Sequence, residues 1–247
     1  MKRFVSALCL SFLSLFAFST AATELVSRKN EVGHRNFYQA KKILPDIYSG
    51  LNNTFYCGCP YEGKKVDLNA CGYRIRKDPR RAGRVEWEHV VPAWAIGHQR
   101  QCWQNGGRSN CSKTDPLYAK AEGDLHNLTP AIGEINNDRS NYSFSVWTRN
   151  PGPDKSMYGK CQMLVDFKGR KVQPPENVRG KIARITFYMV NEYDLNLSNQ
   201  ERRLYCVWAK AYPPDRWEQI RNQRIAAVQG NVNPFVSEPA LIDRICR

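Results

Sequence analysis

Nine cysteines set the strongest limit on what this chain can fold into. One of them, Cys9, lies in an N-terminal stretch that reads as an export signal. Lys2 and Arg3 form its charged region, residues 4–18 are apolar apart from Ser6, Ser11 and Ser14, and Ser19, Ala21 and Ala22 mark a cleavage point. The apolar run is short for a membrane span, and no later stretch resembles one. Residues 1–22 are therefore read as a signal peptide and residues 23–247 as one domain. Eight cysteines remain: Cys57, Cys59, Cys71, Cys102, Cys111, Cys161, Cys206 and Cys246. An even number in an exported chain predicts disulfides and an oxidising compartment, periplasmic or extracellular. A structural zinc site is the rival, but the C-x-C and C-x8-C spacings lack the paired C-x2-C of a zinc ribbon. Spacing does not give the full pairing. Cys102–Cys111 is the simplest pair, because the Gly/Asn-rich segment between them would close a compact loop.

The rest of the chain reads as mixed. Residues 37–44 have a helical pattern, stopped near Pro45. Residues 54–57 and 72–75 read as short strands, and 77–84 (KDPRRAGR) as a basic loop. Residues 94–103 suggest one helical turn, and 161–167 a strand. The C-terminal third is helical: Ile182, Ile185 and Met189 share a face, and Leu204, Val207, Trp208 and Ala211 follow at helical spacing. Ser198 with Glu201, and Asp215 with Glu218, read as capping boxes. No repeat or flexible linker divides the chain. The pattern predicts one α+β domain with a small mixed sheet and a helical C-terminal layer, stapled by disulfides.

The stretch at 84–141 carries the chemistry. Val85, Trp87, Val90 and Val91 favour a strand that stops at Pro92. Downstream, 124–141 reads as a short strand and then a helix, with Thr129 as N-cap, Pro130 at the first helical position, and Ile132 and Ile135 on the buried face. Glu88 then offers a carboxylate, Asn136 an amide oxygen and His89 an imidazole. A hard cation such as Mg²⁺ needs only a few oxygen ligands and keeps several waters, so Glu88 and Asn136 suffice. An unperturbed imidazole titrates near neutral pH, so His89 suits a general base. Neighbours on a flat strand point to opposite faces, so Glu88 and His89 share a pocket only if the strand bends or bulges. The formal charge is +14, from 37 Lys+Arg against 23 Asp+Glu. A field of that sign attracts polyanions.

Several motifs together resemble the secreted bacterial endonuclease I family. They are Phe55-Tyr56-Cys57-Gly58-Cys59, Cys71-Gly72-Tyr73, the run from Val85 through Trp94, Arg100-Gln101-Cys102-Trp103, Gly106-Gly107-Arg108, Asp124-Leu125-His126-Asn127-Leu128, Gly133-Glu134, Asp138-Arg139-Ser140-Asn141 and Gln229-Gly230-Asn231. The resemblance implies a ββα-metal (His-Me finger) core and a non-specific endonuclease. DNA and RNA are then its substrates, its products carry 5′-phosphates, and it acts as a monomer without a membrane partner. It makes Glu88 and Asn136 ligands of one Mg²⁺, for which Mn²⁺ or Ca²⁺ could substitute, and His89 the base. It makes Arg108 a phosphate contact and places Glu122 beside the site. Arg74, Arg76, Lys77, Arg80, Arg81 and Arg84 would hold backbone phosphates without reading bases. Arg139, three residues past Asn136, would face the same phosphate. The chain departs from the family at Asn137, where relatives carry glycine, and at Gln219, where they carry cysteine. Cys206 supplies the extra thiol here, so the partners of Cys206 and Cys246 stay open.

Two other classes compete. An exported zinc hydrolase would want H-E-x-x-H or three convergent histidines. This chain has the order Glu-His and four histidines in all. A non-catalytic cationic protein that binds nucleic acid or envelope anions explains the charge and the cysteines, but not Glu88, His89 and Asn136 together.

Overall fold

The computed structural model describes residues 32–147, 154 and 156–247. The signal-peptide reading at 1–22 lies outside them. Residues 32–247 form one compact unit. Its elements are α1 (Phe37–Ile47), β1 (Tyr61–Glu62), β2 (Lys65–Val66), α2 (Pro79–Ala82), β3 (Val85–His89), α3 (Ala93–Gly97), α4 (Gln101–Gln104), α5 (Gly107–Thr114), α6 (Pro116–Glu122), β4 (Leu128–Ile132) and α7 (Gly133–Arg139). There follow β5 (Ser143–Phe144), β6 (Leu164–Asp166), β7 (Lys171–Gln173), α8 (Glu176–Tyr193), α9 (Asn199–Ala211), α10 (Arg216–Gln229), α11 (Pro234–Ser237) and α12 (Leu241–Ile245). The class is α+β, with small sheets and a helical C-terminal third. No helix among the described residues is long and apolar enough to cross a membrane.

All eight cysteines are paired: Cys57–Cys161, Cys59–Cys71, Cys102–Cys111 and Cys206–Cys246. The expected Cys102–Cys111 loop is present, and Cys206 finds Cys246. The first two bridges correct the reading of 54–57 and 72–75 as strands. With Cys57 and Cys59 both tied down and Gly58 at φ 65°, the chain turns instead, closed by Thr54 Oγ1 accepting from Cys59 N at 3.0 Å. Tyr73 makes only an isolated bridge to Gly159.

Other departures have equally local causes. α1 runs through Pro45 to Ile47, because its last turn buries Leu44 and Ile47 under Tyr48 and Leu128, and the packing outweighs the one lost hydrogen bond. The basic loop contains the short helix α2, with Asp78 accepting from Arg81 N and Pro79 at its first position. Thr129 and Pro130 sit inside β4 rather than capping a helix. Pro130 lies opposite Trp87, and its carbonyl accepts from Phe55 N at 2.7 Å, so its missing N–H breaks no rung. Ser198 and Glu201 form the expected capping box. Asp215 caps α10, but Glu218 turns away and pairs with buried Arg184 at 2.5 Å.

The motifs Asp124-Leu125-His126-Asn127 and Gln229-Gly230-Asn231 meet in a buried polar network. Asp124 accepts from Tyr188 OH at 2.8 Å, Tyr193 OH at 2.6 Å and Gln229 Nε2 at 3.0 Å. His126 is wholly buried, with Nε2 donating to the Asn231 carbonyl at 3.1 Å. Burial lowers its pKa from 6.5 to about 4. As pH falls through this window, the unfolded chain takes up the proton and the folded chain does not, so stability is lost between pH 6.5 and about 4. The gap is worth on the order of 3 kcal/mol. His34 and His89 are lowered too and add to the parent's slope. Thermal melts of His126→Gln are expected to show a shallower pH dependence than the parent across that window. Identical slopes would show that His126 titrates as an exposed histidine.

Candidate active site

β3 and β4 form an antiparallel pair that runs directly into α7, with Val85 opposite Ile132 and His89 opposite Leu128. The ladder itself carries no bulge; the chain bends just past it, at residues 90–91, the other course the sequence left open. His89 is the last residue of the strand, and Asn127 extends the pairing by side chain: its Oδ1 accepts from Val91 N at 2.7 Å, and its Nδ2 donates to Val91 O at 2.9 Å. Glu88, His89, Arg108 and Asn136 all border one cleft of about 1300 Å³. Gly133 lets α7 start close against β3. A Cβ there would lie 2.6 Å from the Arg81 carbonyl oxygen and 2.9 Å from the Glu86 carboxylate.

The His89 ring is fixed from two sides. Its Nε2 lies 2.9 Å from the Glu122 carbonyl oxygen, which can only accept, so Nε2 carries the proton and Nδ1 keeps its lone pair. Phe37 packs on the ring at 4.6 Å, and the Arg108 guanidinium covers Phe37 at 5.3 Å. Burial, reinforced by the Arg108 charge, pushes the imidazole pKa down to about 3. The imidazole is therefore held in its neutral form near pH 7.

Glu88 is 2% exposed and accepts from Tyr56 OH at 2.8 Å, with Arg139 Nη1 at 3.4 Å. Burial raises its pKa, and Arg139 offsets part of the rise. Asn136 Nδ2 donates to Glu86 at 2.9 Å. Because a carboxylate accepts only, this bond turns the amide so that Oδ1 is its outward atom. Glu86 also receives Arg81 and Arg84; burial opposes its charge, but these donors hold its pKa below the usual carboxylate range. Among the described residues no three His, Cys, Asp or Glu side chains converge on one point. The available donors are a carboxylate and an oriented amide oxygen, which suits a hard, largely hydrated cation and not zinc.

The remaining expected residues divide. Arg108 uses Nε on the Glu122 carboxylate at 2.6 Å, and its side chain stays about half exposed at the cleft. Lys77 and Arg80 are exposed and unpaired there, whereas Arg76 is held by Asp138, and Arg81 and Arg84 by Glu86. Arg139 is 1% exposed, and its donors go to the His89 and Val90 carbonyls, so it clamps the end of β3 from within the wall and offers no open contact to a phosphate. Glu134 and Asp138 lie in the motifs that carry the resemblance, but no role follows for them from the sequence. Glu134 accepts from Tyr73 OH and from the backbone N–H of Arg76, Lys77 and Asp78, and Asp138 takes Arg76 and Tyr158, so both fasten the basic loop to α7. Those motifs and the i, i+4 spacing were the signals available.

A neutral imidazole, hard oxygen donors and the half-exposed Arg108 guanidinium on one cleft are the groups a hydrolytic site for a polyanion requires. A family model for endonuclease I matches residues 18–240. The chain is 54% identical over 209 residues to an extracellular deoxyribonuclease of Aeromonas hydrophila, covering 83% of this chain and 89% of that one. It is 51% identical over 232 residues to a periplasmic deoxyribonuclease of the same organism, covering 92% and 96%. To an endonuclease-1 of Buchnera aphidicola subsp. Baizongia pistaciae it is 44% identical over 229 residues, covering 91% and 92%. The chain belongs to the endonuclease I family.

Proposed function

We propose that this chain is an exported endonuclease that hydrolyses DNA, and also RNA, without sequence preference, leaving 5′-phosphate ends. β3, β4 and α7 act as a ββα-metal core, and the chain works as a monomer in the periplasm or outside the cell. The observation that carries the reading is the tautomer of His89, fixed by the Glu122 carbonyl so that Nδ1 is left to take a proton from water. Glu88 and Asn136 would hold one Mg²⁺, with Mn²⁺ or Ca²⁺ as substitutes. That cation would supply charge stabilisation at the phosphate and its leaving 3′ oxygen. Glu86 keeps the Asn136 amide oxygen aimed outward, and Tyr56 holds Glu88. Arg108 contributes charge-assisted hydrogen bonds to a non-bridging oxygen. Lys77 and Arg80 grip flanking phosphates.

A plasmid-nicking assay with and without EDTA tests the reading. Nicking that EDTA abolishes is expected; intact plasmid under both conditions would favour a non-catalytic cationic binder. Phosphate-led binding also predicts steep salt dependence, because each neutralised phosphate releases counterions. Anisotropy titrations of an inactive variant should give an affinity that falls linearly in log–log terms, with little difference between sequences. A flat salt response would contradict it.

A further inference from the structure

Trp94 is a large aromatic at the cleft that the catalytic reading leaves unused. It lies on α3, five residues beyond His89, and is 45% exposed. Its ring is not loose: His98, one turn on, stacks against it at 3.7 Å and 9°, and His98 Nδ1 is anchored at 2.9 Å on the Trp94 carbonyl. One face of the indole is thus covered and the ring is held in a single plane. Trp94 borders the catalytic cleft and also a second cleft of about 490 Å³, and the two share Pro92, Trp94, Arg139 and Asn141. The second cleft is lined by His98 as well as Trp94, and it carries amide and hydroxyl groups from Gln99, Asn141 and Ser143 together with the carboxylates of Asp194 and Glu201.

A rigid, half-exposed indole beside a phosphate-cleaving centre offers a π-face to a base one nucleotide from the cut. Bases inside a duplex already have both faces stacked, so only an unpaired or flipped base can use it. We infer that Trp94, backed by His98, is a base-stacking platform, and that the adjoining cleft is a subsite for an unpaired nucleobase next to the scissile phosphate. The inference rests on the nuclease reading above. It makes Trp94 a specificity determinant that favours single-stranded or locally opened substrate. The amides and hydroxyls of the subsite can meet base edges without choosing one sequence, since every base has a π-face.

The test uses the full chain with His89→Ala to silence cleavage. Dissociation constants are measured for a fluorescent single-stranded oligonucleotide and for the same sequence in a duplex hairpin, with and without Trp94→Ala. The single strand is expected to lose about tenfold more affinity than the duplex. Trp94→Phe, which keeps a π-face, should retain most of the preference. Trp94→Leu keeps apolar bulk without the face, should lose the preference as alanine does, and covers the case that the alanine variant is unstable. Equal loss on both substrates, no loss on either, or leucine matching phenylalanine would overturn the platform. Plasmid cleavage by the parent is read in parallel. A parent that never cuts sinks the nuclease reading, whereas a parent that cuts with an unchanged binding ratio sinks only the subsite.

Discussion

Replacing His89 by alanine is expected to slow phosphodiester cleavage by about 10²–10⁴-fold, the usual range for removal of a general base, while metal and DNA binding stay close to the parent. The expectation follows from separate anchoring. The imidazole is held by the Glu122 carbonyl and by Phe37, whereas Glu88 is held by Tyr56 and Arg139, and Asn136 by Glu86. Removing the ring leaves the oxygen donors in place. Glu88→Ala should do the opposite: Mg²⁺ binding weakens strongly in calorimetry, and excess Mg²⁺ or Mn²⁺ restores part of the activity. It also leaves buried Arg139 without its carboxylate, so its melting temperature should drop. Asn136→Ala should resemble Glu88→Ala more mildly, since a neutral amide contributes less than a carboxylate. Added imidazole should partly rescue His89→Ala and do nothing for Glu88→Ala. The assignment fails if His89→Ala loses the cation and Glu88→Ala keeps it.

Reduction is expected to abolish both activity and fold. In the chain-entropy view each disulfide stabilises by roughly 2–4 kcal/mol, so four together match the whole stability of an ordinary domain. The loops they close differ widely. Cys57–Cys161 spans 104 residues and Cys206–Cys246 spans 40, against 12 and 9 for the other two. The Cys57–Cys161 bridge should matter most, for length and for place: Cys57 follows Tyr56, whose hydroxyl holds Glu88. The double variant Cys57→Ser/Cys161→Ser should melt lower and bind Mg²⁺ more weakly than Cys102→Ser/Cys111→Ser. Thiol titration, circular dichroism and nuclease assay on one reduced sample decide the matter. Full activity with all eight thiols free would refute the expectation.

What could be read from the residues was whatever depends on near neighbours. The α+β class, the C-terminal helices, the Ser198 box and the Cys102–Cys111 loop were legible because short-range spacing encodes them. β4 was misread because all five of its residues are buried, leaving no alternation to see, and because Pro130 imitates a helix start. The turn at 54–57 was hidden by disulfide partners 12 and 104 residues away. In the candidate site, Glu88, His89 and Asn136 stand out by chemical type and by the resemblance. Glu86 and Glu134 lie in the motifs of that resemblance too, but their tasks, like that of the Glu122 carbonyl, are not visible there, since each acts through a partner that is distant in the chain or through backbone. Arg139 shows the reverse case: its type suggests a phosphate ligand, and burial against the end of β3 gives it another task.

α7 faces two ways. One side carries Asn136 into the cleft, and the other carries Glu134 and Asp138 into the segment at 76–78. The Glu134 carboxylate is buried and takes three backbone N–H groups of that segment. A graft that replaced the basic segment alone would strand a desolvated charge. Residues 76–84 and 133–139, some fifty positions apart in the chain, are therefore one exchangeable cassette: whoever re-engineers the grip on nucleic acid must transplant the helix of Asn136 with it.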